Sequence, residues 1–436
     1  MKPHSLVLIG AGRIARVHAR SIARSPRAKL AAVVDPDPSA GAEVAALHGG
    51  EAFATLADAL KRSSTTGIVI ASPTGTHADY IETCVSRGIP VLCEKPVDLT
   101  LARVDQCLDR INRSDVPVTI GFHRRADPAR REVKAALSNG QIGRPEHVIQ
   151  ISRDLSPPPA SFLAHSGGIV RDMLIHDLDE LVWMFGDGPL TVTAKLTPFV
   201  DPALANLDDY DSAAVTIVYA NGPVCHISAS RHCSYGFDQR LEVFGSSGLV
   251  SCPNMTARRA TVATEVGFLR GPLHKSFGER YAAAYEAELE AFLDTVEGLA
   301  PPLCPVSDAR MSLALAELVM EAHRGGTCVS AASLKRAGDE RNVSGTRIPL
   351  LSVDLREVTR LGRTGSASRT GAKLRRRLEC CAKRFGRRAD WRDRVAGRRE
   401  PGDRQCRCSG TGSAATDHVR ACSLRANATR RAAAAL

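Results

Sequence analysis

Short apolar runs alternate with amphipathic stretches through the first part of the chain. The apolar runs at 5–10, 30–35, 67–71, 90–94 and 116–121 predict strands, and helical patterns at 13–24, 39–47, 77–87 and 101–113 separate them. A strand that is apolar on both faces is typical of a sheet that is covered on both sides. The alternation therefore predicts an α/β domain with a parallel sheet between layers of helices.

The pattern changes after residue 121. Helices are predicted at 129–139, 168–185, 282–297 and 307–324, and strands of alternating polarity at 146–153, 191–197, 212–219, 224–230 and 240–244. Alternating strands with few helices between them favour an antiparallel sheet with one open face. We therefore divide the chain into a Rossmann-type domain at 1–121, an α+β domain on an open antiparallel sheet at 122–338, and a tail at 339–436.

The tail differs from the rest of the chain in composition. Residues 341–436 contain 24 basic and 8 acidic groups, whereas the whole chain has a net charge of +11, so the body before the tail is slightly acidic. The tail has too few apolar residues to offset chain entropy, and we predict that it is disordered. A nucleic-acid-binding arm and an out-of-frame translation of GC-rich sequence both fit this composition, and we prefer the second.

Composition also excludes several classes of protein. No apolar run reaches the ~18 residues of a membrane span, and the N-terminus lacks a signal-peptide pattern, so we expect a cytoplasmic protein. The acidic body gives no electrostatic reason to expect nucleic acid as a partner. No cysteine before the tail belongs to a Cys-x-x-Cys pair, so we predict reduced thiols and no metal site.

A glycine-rich turn follows the first predicted strand, in the sequence Gly10-Ala11-Gly12-Arg13-Ile14-Ala15. Gly10 permits a tight turn, Gly12 lets the backbone approach a pyrophosphate, and the following helix offers free N–H groups. Asp35 ends the next strand, where a carboxylate accepts hydrogen bonds from ribose hydroxyls and repels a 2′-phosphate. We therefore predict that Gly10, Gly12, Arg13, Ile14 and Asp35 bind NAD, although the turn alone also fits a purely structural role.

Two further motifs carry candidate catalytic groups. Glu94-Lys95-Pro96 ends a predicted parallel strand, which is where open α/β sheets bind ligands. Asp172 and His176 lie four residues apart and share one face of a predicted helix. An imidazole beside a carboxylate, with a pKa near ~6.5, suits a general base. Taken alone, each motif also fits an ordinary surface contact.

The order of these three motifs resembles the Gfo/Idh/MocA oxidoreductase family. The segments 121–125, 152–154, 157–159, 166–168, 171–177, 235–245 and 279–281 resemble its myo-inositol 2-dehydrogenase branch, and the resemblance covers about residues 5–335. It implies that Lys95 contacts the reacting hydroxyl and the nicotinamide region. It also implies that His176 removes the hydroxyl proton while hydride passes to the nicotinamide, and that Asp172 orients both groups.

The resemblance implies further site residues. The hydroxyl-binding candidates are Arg125, Asp154, Asp172, His176, Asp179, Tyr235 and Tyr281, and the cofactor site gains Ser72, Thr74, His77, Glu94 and Lys95. Leu155 and Ala126 depart from the branch, which usually has Pro and Phe there, so a different polyol stays open. Because the family pairs its open sheets, we also expect a homo-oligomer, either a dimer or a tetramer.

The expected activity is NAD-dependent oxidation of a ring secondary alcohol to a ketone, with myo-inositol to scyllo-inosose as the leading case. The expected partner is a small polyol, with no nucleic acid, membrane or metal. Two alternatives stay open: a dehydrogenase of another polyol or an aldose, and a non-catalytic NAD-sensing regulator on the same fold. A regulator need not keep Lys95, Asp172 and His176, and all three are present.

Overall fold

The computed structural model describes residues 2–334 except 164, 187, 221 and 259. The predicted tail at 339–436 lies outside the described residues. Within the described part of the chain, no helix has both the length and the hydropathy that a bilayer span requires.

The first sheet is parallel, and among the described residues it has six strands in the order β3-β2-β1-β4-β5-β6. The strands are β1 His4–Ile9, β2 Ala28–Val34, β3 Glu51–Phe53, β4 Gly67–Ile70, β5 Val91–Glu94 and β6 Val118–Gly121. The helices that connect them are α1 Arg13–Arg24, α2 Pro38–His48, α3 Leu56–Arg62, α4 His77–Val85 and α5 Leu101–Ile111. This order confirms the predicted Rossmann-like domain. The chain builds the sheet outward from β1 in one direction and from β4 in the other. In sheets of this kind, ligands bind in the crevice between the two strands where the order switches, at their carboxyl ends.

The second sheet has seven strands in the part of the chain that the structure describes, in the order β12-β11-β7-β10-β9-β8-β15. They are β7 Pro145–Arg153, β8 Pro189–Thr197, β9 Ser212–Tyr219, β10 Val224–Ser230, β11 Asp238–Gly245, β12 Gly248–Cys252 and β15 Val329–Ser330. Neighbours are antiparallel except β7 and β10, which pair in parallel. A separate hairpin consists of β13 Thr261–Thr264 and β14 Gly267–Arg270. The predicted α+β fold on a second sheet is therefore confirmed, but the sheet is mixed and not purely antiparallel, because the long connection between β7 and β10 lets these two strands run in the same direction.

The helices of the second half are α6 Pro128–Ser138, α7 Ala160–Leu163, α8 Ile175–Phe185, α9 Phe277–Arg280, α10 Ala282–Val296 and α11 Val306–Gly325. Short 3-10 turns lie at Thr74–Thr76, His123–Ala126, Pro202–Leu207 and Ala331–Leu334. The helix predicted at 168–185 is divided, because Val170–Leu174 forms a π-helical turn before α8 begins. Such turns are frequent at functional sites, and this one carries Asp172.

Helix α10 packs against the first sheet although it follows the second sheet in the chain. Its residues Leu289, Phe292 and Leu293 share a buried apolar cluster with Leu6 and Leu8 of β1. Periodicity identifies the apolar face of a helix and not the sheet that this face covers. The sequence therefore predicted the helix and placed it in the segment 122–338 without its actual packing partner.

A buried ion pair joins α8 to the turn after β6. The Arg125 guanidinium donates to both carboxylate oxygens of Asp179, at 2.9 and 2.8 Å, and to Asp308 at 2.8 Å. Ser312 donates to the same Asp179 carboxylate at 3.1 Å. Arg125 and Asp179 are 1% and 0% exposed. Removing one partner of such a pair leaves the other charge buried without compensation.

We expect Asp179→Ala to lower the free energy of unfolding by about 3 kcal/mol, because it removes two hydrogen bonds from the buried Arg125 guanidinium and leaves Asp308 as its remaining carboxylate partner. Urea denaturation followed by circular dichroism measures the change. Glu43→Ala breaks an exposed pair with Arg16 and should leave the urea midpoint unchanged. An unchanged midpoint for Asp179→Ala with lost activity would instead place this carboxylate on the substrate.

Candidate active site

The glycine turn lies between β1 and α1, at the edge of the first sheet where the strand order reverses. Gly10 has φ +102°, and a Cβ there would lie 2.5 Å from the Ala71 carbonyl oxygen. Gly12 is the N-cap of α1, and a Cβ there would meet no described atom within 4 Å. Gly10 is therefore required by the fold itself, whereas Gly12 borders open space at a helix N-terminus, which fits a pyrophosphate.

Asp35 follows β2 and turns back toward the glycine turn. One carboxylate oxygen accepts a hydrogen bond from the Ala11 N–H at 2.7 Å, and the other accepts from the Asp37 N–H at 2.9 Å. The carboxylate thus fixes the turn and keeps further lone pairs for ribose hydroxyls. Arg13 is exposed, with its guanidinium carbon 4.9 Å from the centre of the Phe277 ring. Ile14 and Phe277 are both partly buried and pack against the buried cluster that contains Tyr281 and Tyr285.

Two predicted cofactor residues lie in the loop after β4. The Ser72 hydroxyl lies 2.7 Å from the Thr76 hydroxyl, and Thr74 opens the short turn between them. His77 is buried, and its two ring nitrogens lie 2.8 Å from the carbonyl oxygens of Pro96 and Ser72. His77 therefore joins the loops after β4 and β5 and does not point its ring into the crevice.

The side chain of Glu94 also points into the protein interior and not into the crevice. Its carboxylate lies 2.8 Å from Nε2 of His18 on α1 and accepts a hydrogen bond from the Lys95 N–H at 3.3 Å. Both side chains are buried. The sequence placed Glu94 among the cofactor contacts. The structure indicates instead that it connects the cofactor helix α1 to the backbone of Lys95.

The structure brings Lys95 and Asp172 into direct contact. The Lys95 ammonium donates to the Asp172 carbonyl oxygen at 2.7 Å and to its carboxylate at 3.1 Å. Lys95 follows β5 of the first sheet, and Asp172 lies in the π-helical turn that precedes α8. An ammonium has three N–H groups, so one remains for a further acceptor.

His176 lies one turn beyond Asp172, with its ring edge-on to Phe122 and His123 at centroid distances of 5.8 and 5.0 Å. Burial holds the pKa of His176 well below its usual range, and the neighbouring Lys95 lowers it further. The imidazole is therefore neutral near neutral pH. Its Nδ1 is buried without a hydrogen-bond partner among the described residues. Asp172, which we expected to orient both Lys95 and His176, bonds to Lys95.

Asp154 follows β7 and lies close enough to Asp172 for the two carboxyl groups to interact electrostatically. Burial and, to a smaller extent, the charge of Asp172 raise the pKa of Asp154 to about 6, although nearby arginines, Arg231 among them, oppose this rise. The structure thus gathers Lys95, Asp172 and Asp154 in one region.

The remaining predicted substrate residues differ in accessibility. Tyr235 is 54% exposed, donates to the Asp238 carboxylate at 2.6 Å and accepts from Arg153 at 2.7 Å. Tyr281 is buried beside His123, at a ring distance of 4.6 Å, and its hydroxyl has no hydrogen-bond partner among the described residues. Arg125 and Asp179 are bonded to each other in the interior, which favours a structural role for that pair.

Sequence reasoning missed His123 as a candidate residue. Its ring is buried, stacks on Tyr285 at 4.5 Å, and lies against His176. Neither ring nitrogen has a partner within the part of the chain that the structure describes. The residue belongs to a segment that carried the family resemblance, but its closeness to His176 depends on tertiary packing that no local pattern reveals.

The same region offers no evident metal site. Over the described residues, no group of three or more His, Cys, Asp or Glu side chains is arranged to hold an ion. The polar groups that converge here are an amine, an imidazole and carboxylates. Their arrangement suits proton transfer at a hydroxyl beside a dinucleotide.

Comparison with known proteins defines the class first. A family model described as an oxidoreductase family with an NAD-binding Rossmann fold, GFO/IDH/MocA, matches residues 5–122. The model of the GFO/IDH/MocA C-terminal domain matches residues 130–251. The chain belongs to the GFO/IDH/MocA family and is an NAD-dependent oxidoreductase. The family, the enzyme class and the cofactor predicted from the sequence are thereby confirmed.

Within the family, the chain is similar to inositol dehydrogenases. Inositol 2-dehydrogenase of Rhizobium meliloti is 40% identical over 311 residues, which cover 71% of this chain and 94% of the relative. A myo-inositol dehydrogenase structure from Corynebacterium glutamicum is 38% identical, has a TM-score of 0.72, and matches 76% of this chain and 99% of its own.

A solved relative contains the cofactor. The scyllo-inositol dehydrogenase of Lactobacillus casei, with bound NAD(H) and scyllo-inositol, is 26% identical. Its TM-score is 0.71, and the match covers 76% of this chain and 100% of the relative.

We expect Gly12→Ala to fold normally and to bind NADH at least ~10-fold more weakly, because its methyl group would occupy the space that the pyrophosphate approaches. Fluorescence titration of NADH measures the affinity. Gly248→Ala on β12 places a methyl group in ordinary contact with Ile142, away from the first sheet, and is the matched control. Equal affinity in both variants would place the phosphates elsewhere.

Proposed function

We propose that this enzyme oxidises a secondary hydroxyl of a cyclitol to a ketone with NAD, with myo-inositol to scyllo-inosose as the leading reaction. The observation that carries the proposal is the contact of Lys95 with Asp172, one helical turn from a neutral His176. The inositol dehydrogenases among the relatives support the substrate class.

The residues around the crevice fit NAD. Gly12 leaves space at the N-terminus of α1, and the Asp35 carboxylate lies beside the turn, where a ribose would be bound. When bound, NAD supplies the hydride acceptor. The protein therefore needs only to hold the carbinol carbon near the nicotinamide and to remove the hydroxyl proton.

His176 takes the role of the base. Because its pKa is depressed, the ring is unprotonated near neutral pH and can accept the proton. The third N–H of Lys95 donates to the reacting oxygen and stabilises the negative charge that develops there. Asp172 holds the ammonium in that direction. A positioned base typically contributes ~10²–10⁴-fold to the rate.

Substrate hydroxyls away from the reacting carbon need separate partners. Asp154, beside Asp172, accepts hydrogen bonds from hydroxyls once it is ionised, above its pKa of about 6. The Tyr281 hydroxyl, which lacks a protein partner among the described residues, and the accessible Tyr235 are further candidates. A ring that carries a hydroxyl on each carbon is suited to such a polar surrounding.

One alternative substrate class stands beside the inositols. Leu155 and Ala126, which depart from the inositol branch, favour another polyol or an aldose if inositols fail as substrates. The alternative of a non-catalytic NAD sensor falls, because the chain is an NAD-dependent oxidoreductase. The proposal also includes a cytoplasmic homo-oligomer, a dimer or tetramer, and the exposed Ile149 and Phe244 on the open sheet support self-association.

We expect the wild-type enzyme to reduce NAD with myo-inositol in a panel of inositols and aldoses, followed by NADH absorbance. His176→Ala should lower kcat by ~10²-fold or more with unchanged NADH affinity, because only the base is lost. His165→Ala replaces an exposed histidine and is the matched control. Near-normal turnover of His176→Ala would mean that another group removes the proton.

We expect Asp35→Ala to reduce the preference for NAD over NADP by ~10-fold or more, because the 2′-phosphate is no longer repelled. The ratio of kcat/KM for the two cofactors measures the preference. Asp37→Ala removes the neighbouring carboxylate that caps α2, and it should leave the ratio unchanged. An unchanged ratio in both variants removes Asp35 from the ribose site.

A further inference from the structure

Arg231 lies directly after β10 and is completely buried. Its backbone N–H donates to the Asp211 carbonyl oxygen at 2.7 Å. One amino group of its guanidinium bonds to the Asp209 carboxylate. The other lies 3.8 Å from the second carboxylate oxygen of Asp172 and has no hydrogen-bond partner among the described residues. One buried cation thus faces two carboxylates from different segments.

Asp209 connects this arginine to the start of the catalytic segment. Its carboxylate accepts a hydrogen bond from the Ile169 N–H at 2.7 Å. Ile169 is the residue before the π-helical turn that carries Asp172. The Asp209 carboxylate packs closely against the backbone of Gly168, since a Cβ on that glycine would lie 2.9 Å from an Asp209 oxygen. Arg231 and Asp209 together therefore fix where this turn begins.

Asp172 lies between two cations. Lys95 bonds to one of its carboxylate oxygens, and Arg231 faces the other. Asp154 lies near enough to Asp172 for their charges to repel. Two neighbouring carboxylates that are partly buried repel each other strongly unless cations compensate them.

The charged and titratable groups around these residues come from several elements. The charged or titratable groups near Asp172 are Lys95, Arg231 and Asp154. Those near Asp154 are Asp172, Arg124, Arg231 and Arg13. Those near His176 are Lys95, His123 and Arg124. Of the arginines, Arg231 approaches Asp172 while anchored to Asp209.

We propose that Arg231 is a positioning residue, whose guanidinium bridges Asp209 and Asp172, directs the Asp172 carboxylate at Lys95 and compensates the negative charges of Asp172 and Asp154. This inference rests on the catalytic roles proposed for Lys95 and Asp172. Arg231 acts on the substrate through Asp172. Arg suits this position better than Lys, because its two amino groups reach toward different carboxylates, whereas an ammonium carries its donors on one atom.

The test is the pH dependence of kcat/KM for Arg231→Gln, measured on whichever polyol the wild-type enzyme oxidises. Arg231 is one of the arginines that oppose the rise in the pKa of Asp154, so its removal raises that pKa further. We therefore expect the acidic limb of the profile to move to higher pH by about one unit. The value of kcat/KM near neutral pH should fall by ~10-fold or more. Arg310→Gln, which breaks the pair with Asp105, is the matched control.

Arg231→Lys separates charge from geometry. It retains the positive charge, so we expect a limb close to that of the wild type, with kcat/KM lowered because the bridge is lost. The urea midpoint and the NADH affinity of each variant show that the fold and the cofactor cradle persist.

A folded Arg231→Gln variant with a wild-type acidic limb would overturn the proposal, whatever its kcat, because only structural support would then be lost. If Arg231→Gln does not fold, Arg231→Lys provides the test. A wild-type value of kcat/KM for Arg231→Lys would overturn the proposed bridge between Asp209 and Asp172. A lowered kcat/KM with an unchanged acidic limb of the pH profile would support it. The inositol assignment fails separately, when the wild type reduces NAD with another polyol and with no inositol.

Discussion

The contact between the Lys95 ammonium and Asp172 is the interaction on which the rest of the site depends. Lys95 follows β5 of the first sheet, and Asp172 lies in the π-helical turn that leads into α8 beside the second sheet. The ammonium bonds to both the carbonyl and the carboxylate of Asp172, so its position is fixed in two directions. Because the two partners come from different sheets, the catalytic groups exist as a set only when both parts of the chain are folded.

Buried ion pairs maintain the relation between these parts. Arg124 donates to Asp177 of α8 at 2.8 Å and to Gln239 of β11 at 2.7 Å, and Arg125 holds Asp179. Such pairs add little net stability compared with apolar packing, but losing one partner is costly. They therefore act mainly to specify one arrangement of α8 relative to the turn after β6. His176 lies on that helix, immediately before the residues that these arginines hold.

The pattern of apolar and polar residues predicted those parts of the fold that short segments of the chain determine by themselves. The strands of the first sheet, the glycine turn and the pair Lys95 and Asp172 all follow from apolar runs, φ requirements and the family resemblance. The three-residue strand β3 gives too short a run to recognise. The π-helical turn at Val170–Leu174 has no signature that distinguishes it from an α-helix.

Other features depend on contacts between distant segments. Glu94 and His77 stand in the predicted cofactor motifs, yet they bond to His18 and to backbone carbonyls. Arg231 gives no sequence signal, since its importance comes from Asp209 and Asp172. A side chain after a strand end can point into the crevice or into the protein, and only packing decides.

A double-mutant cycle on Lys95 and Asp172 tests the central claim most directly. The kcat/KM values of Lys95→Ala, Asp172→Ala and the double variant would be compared with the wild-type value on the same polyol. Residues that act as one unit are strongly non-additive, so we predict that the double variant is about as impaired as the worse single variant. Losses that multiply would show that the two residues act independently, and the account of a shared catalytic contact would then be incorrect.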